Sequence, residues 1–373
     1  MTKHQFHNLY SFSFKVDNVE YGQWLDSVKI KKDVTGNKFV EDTFIFKKDA
    51  TDLLNMMLQP ANIEISINRS NSYEPIMRVS GIISKVFMKD DKIILFFESD
   101  QKINWMRKNG VSITCEQCTV KDALQKYIDK IDSFYKHKSK TLFFINYEKN
   151  INKHKYENIL IPIQNNHFET FEKIARTYFL VNAPFYLFID DYNFTDVNHP
   201  VSMNVYDLSD IKSLRAVMVK DLNTSTRPLF KSSGTYYDSK VYYTVTNMQK
   251  FNDLIYNYAN LKYTNKLDPK NRFKYNDVPD TIKAAENRQQ LAKDFFSKAA
   301  QFYKYEIQDI DVTKFQLGYR FVDDTSSTRI QYAQAIVDVE YKFLTSGTQD
   351  TIENKDEFVN QMTVFVKFTT ISN

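Results

Sequence analysis

The stretch Arg78–Asp100, RVSGIISKVFMKDDKIILFFESD, decides the fold class. Val79 to Met88 is a long run of β-branched and aromatic residues, and Ile93 to Phe97 is a second. Such residues suit a pleated, half-buried surface. The polar Lys89-Asp90-Asp91-Lys92 between them has the chemistry of a tight turn, so the stretch predicts a β-hairpin. Just upstream, Ile63, Ile65 and Ile67 alternate in NIEISIN and predict a third strand.

Working outward, residues 1–112 are mostly β. VKIKKD, with Val28 and Ile30, and FVEDTFIFKK from Phe39 are two more strands. DATDLLNMM is a short helix capped by Asp49 or Thr51 and stopped by Pro60, because an Asp or Thr oxygen satisfies a free N–H of the first turn. Lys102 to Arg107 adds a helical turn. The carboxyl end carries a matching pattern: Phe315 to Val322, Tyr332 to Phe343 (YAQAIVDVEYKF) and Met362 to Phe368 (MTVFVKF). GYRFVDD, the polar loop TSSTR, a long strand and a final strand repeat the order and alternation of the first block. The insert TSGTQDTIENKDEFV at 345–359 is the one large difference. The echo is one of pattern, not of identity, and leaves both duplication and coincidence open.

Between these blocks the character changes. Thr119 caps a helix whose Ala123, Leu124, Tyr127, Ile128 and Ile131 share one face. Strands follow at TLFFINY from Thr141, at Ile159 to Ile163 and at Val201 to Tyr206. In NNHFETFEKIARTYFLVNAPFYLFIDD, residues 165–191, Phe168, Phe171, Ile174, Ala175 and Tyr178 recur at helical spacing. Phe185 to Ile189 then makes a core strand. LRAVMVKDL and TYYDSKVYYTVT, with Val241, Tyr243 and Val245 alternating, are β. Phe251 to Tyr263 is weakly helical, and 266–279 is a polar loop. Asp280 caps a long helix to about Lys304, lined by Leu291, Phe295, Ala299 and Phe302.

Bulk composition narrows the function. At 373 residues the chain is long enough for two or more domains. A net charge of +4 is weak for that length and does not mark a nucleic-acid binder. The basic runs 136–140 and 149–155 are expected as solvated loops, with nucleic-acid contact the alternative. The first residues, MTKHQFHNLYSFSFKV, hold no apolar signal core. No stretch reaches the roughly 18–20 apolar residues that cross a bilayer. The expectation is a soluble chain without a membrane anchor. Only seven glycines leave little for Gly-rich phosphate loops, and neither a P-loop, a dinucleotide fingerprint nor a nucleophile elbow occurs.

Three groups invite a chemical reading. Cys115-Glu116-Gln117-Cys118 has the spacing of half a zinc site or a redox pair. No second such pair accompanies it, so two buried side chains at a strand–helix junction is the plainer reading. His167 and Glu169, with Asp190 and Asp191, resemble an acid–base set. Acids in a first helical turn complement the helix dipole, and Asp pairs after strands are common turn residues. His4, His7, His137, His154 and His199 fall in tails or loops without ligand spacing. The expected site list is therefore empty: no catalytic, cofactor-binding or metal residue, and no cofactor.

The order of elements resembles the baseplate hub proteins of contractile-tailed bacteriophages, a family related to the hub part of type VI secretion spikes. The likeness rests on five stretches. These are the first block through RVSGIISKVFMKDDKIILFFESD, VSITCEQCTVKDALQKYI, the 165–191 stretch, AAENRQQLAKDFFSKAA running into FQLGYRFVD, and YAQAIVDVEYKF with MTVFVKFT. The chain departs from the family in having Leu317 before Gly318 and no proline there, and in the 345–359 insert.

The resemblance implies a β-rich α+β fold with two similar tube-like antiparallel β-barrels and an inserted α+β domain. It implies a first barrel at 1–112, an inserted domain at 113–211 continued by a helical part at 250–306, and a second barrel at 212–249 and 307–373. It further implies a non-enzymatic homotrimer that joins a sixfold tail tube, or tube initiator, to a threefold central spike among other baseplate proteins. Genome DNA would pass its bore without specific binding. The expected location is the virion tail baseplate, after assembly in the host cytoplasm. A tail-associated lysin and a single-barrel distal tail or baseplate adaptor are the alternatives.

Overall fold

The computed structural model describes residues 9–33, 42–47, 49–55, 62–69, 74–135, 141–146, 155–174, 185–190, 194, 199, 201–207, 212, 214–218, 229–237, 301–322, 334–345 and 361–372. The chain is β-rich α+β, with most strands in one large mixed sheet. Several expectations lie outside the described residues. They are the 251–263 helix, the 266–279 loop, the alternation at Val241 to Val245, the 280–300 helix, nearly all of the 345–359 insert, and the basic runs save Lys155.

The first block forms β1 (Leu9–Val16), β2 (Val19–Glu20), β3 (Leu25–Asp33), β4 (Asp42–Lys47), α1 (Asp52–Asn55), β5 (Ile63–Arg69), β6 (Pro75–Lys89) and β7 (Lys92–Ser99). Alternation sets which side each residue faces. In β4, Phe44 and Phe46 are fully buried while Thr43, Ile45 and Lys47 are half-buried. The predicted β6–β7 turn is present, and Asp90 and Asp91 both adopt positive φ, 49° and 58°. That is the backbone of a two-residue hairpin turn, which Asp tolerates better than most residues. At Gly81 a Cβ would sit 2.1 Å from the Glu98 carbonyl oxygen, so β6 approaches β7 closely only because this residue is glycine. β1 has no counterpart in the sequence reading, although Phe12, Phe14 and Val16 alternate into the core.

A smaller unit follows, made of α2 (Asp100–Arg107), β8 (Ile113–Cys118), α3 (Val120–Tyr135), β9 (Leu142–Asn146), β10 (Tyr156–Ile161), α4 (His167–Ile174), β11 (Phe185–Asp190) and β12 (Ser202–Asp207). β10 pairs with β8, and β11, β12 and β9 form a three-stranded sheet. α3 begins at a reciprocal cap. The Thr119 N–H donates to Asp122 Oδ2, and the Asp122 N–H donates to Thr119 Oγ1. Its predicted face is buried, and Trp105, Phe168, Phe171, Ile159 and Val205 join it in a separate core.

The carboxyl block contributes β13 (Ala216–Met218), β14 (Leu229–Tyr237), β15 (Gln301–Gln308), β16 (Arg320–Val322), β17 (Gln334–Thr345) and β18 (Gln361–Ser372). Two expectations are corrected here. The long helix does not reach Lys304, because Gln301–Gln308 is a strand laddered to both β14 and β18. Its QFYKYEIQ sequence alternates, with Tyr305 and Ile307 buried, and cross-strand partners outweigh helical spacing. Phe315 to Val322 is not one strand. Asp311 caps a single 3-10 turn at Val312–Lys314, and Gly318, at φ 81°, delays pairing until Arg320.

The β17–β18 hairpin does more than end the chain. β17 pairs with β16 at Gln334 and Ala335, then with β3 from Asp338 to Leu344, and a bulge at Ile336/Asp338 marks the change. β18 pairs with β1 at Gln361–Thr363 and with β15 at Phe365–Ser372. The pairings β17-β3-β4-β7-β6-β5-β1-β18 therefore return to β17 and close a ring. β16–β13 and β15–β14 extend from the other half of the same hairpin. One hydrophobic core runs through both halves, from Phe14 and Phe44 to Tyr305, Phe321 and Phe368.

Candidate functional site

The feature most distinctive of this chain is the joint where its two ends meet. β1 brings Tyr10 against the segment between β15 and β16. The buried Tyr10 hydroxyl donates to the Ile310 carbonyl at 3.0 Å and accepts the Val312 N–H at 3.0 Å. Burial raises its pKa well above the ordinary tyrosine value, so the hydroxyl stays protonated and able to donate.

Beside it, Arg69 at the end of β5 reaches Asp311. Its Nη2 lies 2.7 and 2.8 Å from the two carboxylate oxygens and 2.8 Å from Thr313 Oγ1. Asp311 also accepts the Thr313 N–H that caps the 3-10 turn. One carboxylate thus shapes the turn and ties it to the first block. On the outside of the ring, Glu340 of β17 lies 3.1 Å from Lys29 and 3.3 Å from Lys31 of β3. Burial by itself would raise the Glu340 carboxyl, but the two lysines outweigh it and hold it below the usual carboxylate range. Local sequence carried no sign of this joint. Tyr10 is 302 residues from Val312, and Arg69 is 242 from Asp311.

The residues singled out from sequence lie elsewhere, in the smaller unit. His167 opens α4 and points inward, at 1% exposure. Its Nδ1 is 3.0 Å from the Tyr127 hydroxyl and its Nε2 is 2.9 Å from that of Tyr135. A neutral imidazole has one N–H and one bare nitrogen, so one hydroxyl donates and the other accepts. Burial pushes the His167 pKa from 6.5 down to about 4. Glu169 faces Asn166 in a reciprocal helix cap: its N–H donates to Asn166 Oδ1 at 2.8 Å, and Asn166 Nδ2 donates to Glu169 Oε1 at 3.4 Å. The structure therefore separates the two, engaging His167 with tyrosines and Glu169 with the helix start. Asp190 pairs through its backbone with Ser202, and Asp191 lies outside the described residues.

Cys115 and Cys118 are buried at the end of β8 and joined to each other. Among the described residues no group of three or more His, Cys, Asp and Glu is arranged to hold a metal ion. No helix among them is long and apolar enough to cross a membrane.

The fold is similar to that of solved tail proteins. A tail protein from Neisseria meningitidis MC58 matches over 98% of this chain and 96% of its own, with a TM-score of 0.50 at 14% identity. The 43 kDa tail protein of prophage MuSo2 from Shewanella oneidensis matches over 96% and 97%, with a TM-score of 0.49 at 9% identity. A chain of the phage P2 baseplate matches over 96% and 98%, with a TM-score of 0.33 at 8% identity. No protein-family model and no curated protein sequence matches the chain.

Proposed function

We propose that this protein is a structural component of a phage tail baseplate, the trimeric hub between a sixfold tail tube and a threefold central spike. The observation that carries the reading is the double use of the β17–β18 hairpin. One half closes the ring with the first block, and the other half extends into β13–β16 and β14–β15. One chain would then present two β units side by side on a common spine. Three chains would present six, which is the number a sixfold tube requires, while the trimer itself meets a threefold spike. The second unit is the extension, β13–β16 and β14–β15 built on the shared hairpin. Closed rings leave no open sheet edge for uncontrolled association.

In this reading the smaller unit widens the trimer around the spike. The first barrel takes β1–β7 with one half of the β17–β18 hairpin, the inserted domain runs from α2 through β12, and the second β unit takes β13–β16 with the other half of that hairpin. The chain performs no catalysis. The genome passes its bore without specific contact, and the protein is assembled in the host cytoplasm into the virion baseplate. The likeness of fold to the Neisseria tail protein supports the class.

Electron microscopy of the assembled protein tests the reading. Three copies around one axis, with near-sixfold symmetry on the face of the rings, is the expected result. A sixfold ring or a stable monomer under assembly conditions would overturn it. So would peptidoglycan hydrolysis by the purified chain.

A further inference from the structure

The two cysteines of the chain occupy a junction built to bring them together. Along β8 the alternation of buried and exposed residues breaks at Gln117, whose φ is 47°. A left-handed residue in a strand rotates the next side chain onto the face that simple alternation denies it. Cys118 thereby turns to the same side as Cys115, and their Cα atoms lie 6.0 Å apart, inside the roughly 4.4–6.8 Å that a disulfide spans. Both are nearly buried, at 6% and 5% exposure. They are not equivalent. Cys118 pairs with Tyr156 in the last rung of the β8–β10 ladder, whereas Cys115 lies inside it opposite Ile159. Terminal rungs open most readily. Cys118 also stands two residues before the first residue of α3, where the positive end of a helix favours a thiolate.

We propose that Cys115 and Cys118 form a redox-active pair that exchanges with small-molecule disulfides and thiols, with Cys118 reacting first and Cys115 resolving. In oxidation the Cys118 thiolate attacks one sulfur of a disulfide such as oxidised glutathione. A Cys118–glutathione bond forms and one glutathione leaves as thiolate. The Cys115 thiolate then attacks Cys118 Sγ and expels the second glutathione. The pair loses two protons and two electrons, and one disulfide becomes two thiols. The oxidised pair staples the end of β8 to the start of α3. The proposal rests on no part of the baseplate reading.

The full-length chain, reduced and then equilibrated with glutathione buffers, is alkylated and weighed intact. The expected result is a two-electron transition between dithiol and disulfide, with slower amide exchange at residues 113–122 in the oxidised form. Cys115→Ser should trap a mixed disulfide at Cys118 on the order of tenfold faster than Cys118→Ser traps one at Cys115. A wild-type chain that stays a dithiol in oxidised glutathione would overturn the proposal. Trapping only after denaturation, or faster at Cys115, would overturn it as well.

Discussion

Arg69 holds Asp311 through both carboxylate oxygens, at 2.7 and 2.8 Å, across 242 residues of sequence. Asp311 is 4% exposed and the arginine side chain 44%, so the acid is the partner that cannot fall back on water. Removing the arginine leaves a buried carboxylate without its cation. We expect Arg69→Ala to cost about 2–4 kcal/mol, reduced from the fully buried case by solvent at the guanidinium. Arg69→Lys keeps a cation, and because one nitrogen, Nη2, makes all of these contacts, it should recover part of the loss. Urea denaturation of the purified chain measures both. A loss within error of an exposed lysine substitution would mean the pair contributes nothing.

Tyr10 supplies the second tie at the same joint. Tyr10→Phe keeps the ring but strips partners from the Ile310 carbonyl and the Val312 N–H. The expected cost is roughly 1–3 kcal/mol, the penalty for buried groups left unbonded. If the tie is what holds β1 against the carboxyl block, amide exchange should quicken in β1 and around Val312 together. Quickening of either one alone would argue against a shared clamp.

His167 makes the smaller unit sensitive to acid. Its folded pKa, about 4, lies below the ordinary 6.5. Above pH 6.5 both folded and unfolded states are neutral and no stability is lost. As pH falls from 6.5 toward 4, the unfolded chain takes up a proton that the buried ring refuses, so stability declines. The loss levels off near pH 4 at on the order of 3 kcal/mol. Replacing His167 with Gln should flatten denaturation midpoints between pH 6.5 and 4.5, whatever it does to stability at pH 7.5. An unchanged slope in the variant would assign the acid response to another group.

Neighbouring residues of β4 test which side of the ring is core. Phe44 is fully buried among Phe14 and Phe97, whereas Ile45 faces outward and is half-buried. Phe44→Ala should cost about 3–5 kcal/mol. Ile45→Ser should stay under about 1 kcal/mol if that face is open to water. Equal costs would contradict the register.

Gly81→Ala places a methyl group 2.1 Å from the Glu98 carbonyl oxygen, with the Phe97 ring at 2.6 Å. Backbone cannot swing aside as a side chain can. A loss of about 1–3 kcal/mol or more is expected, with the greatest effect on the β6–β7 ladder. A variant as stable as wild type would show that the two strands part there at no cost.

Most of the strands and helices were legible because their cause is local. Ile63, Ile65 and Ile67 alternate, Asp90 and Asp91 suit a turn, and Thr119 with Asp122 forms a cap within four residues. Other segments take their form from a distant partner. Phe302 sits at helical spacing from Phe295 and Ala299, yet Gln301–Gln308 is held as a strand by β14 and β18. The FQLGYRFV run has strand composition, but Asp311 and Gly318 bend most of it out of the ladder. At the chemical candidates, Glu169 could be recognised as a first-turn acid from its position. The tyrosine partners of His167 lie 40 and 32 residues away and could not.

By itself, then, the sequence determined a β-rich chain with two patterned blocks around a smaller helical unit, because periodicity and turn chemistry act over a few residues. Only the tertiary structure decided that the last hairpin belongs to both blocks at once. Alternation says which face of a strand is buried but not which strand lies beside it. The neighbours of β17 and β18 are chosen by register across hundreds of residues, and contacts such as Arg69 with Asp311 exist only once that choice is made.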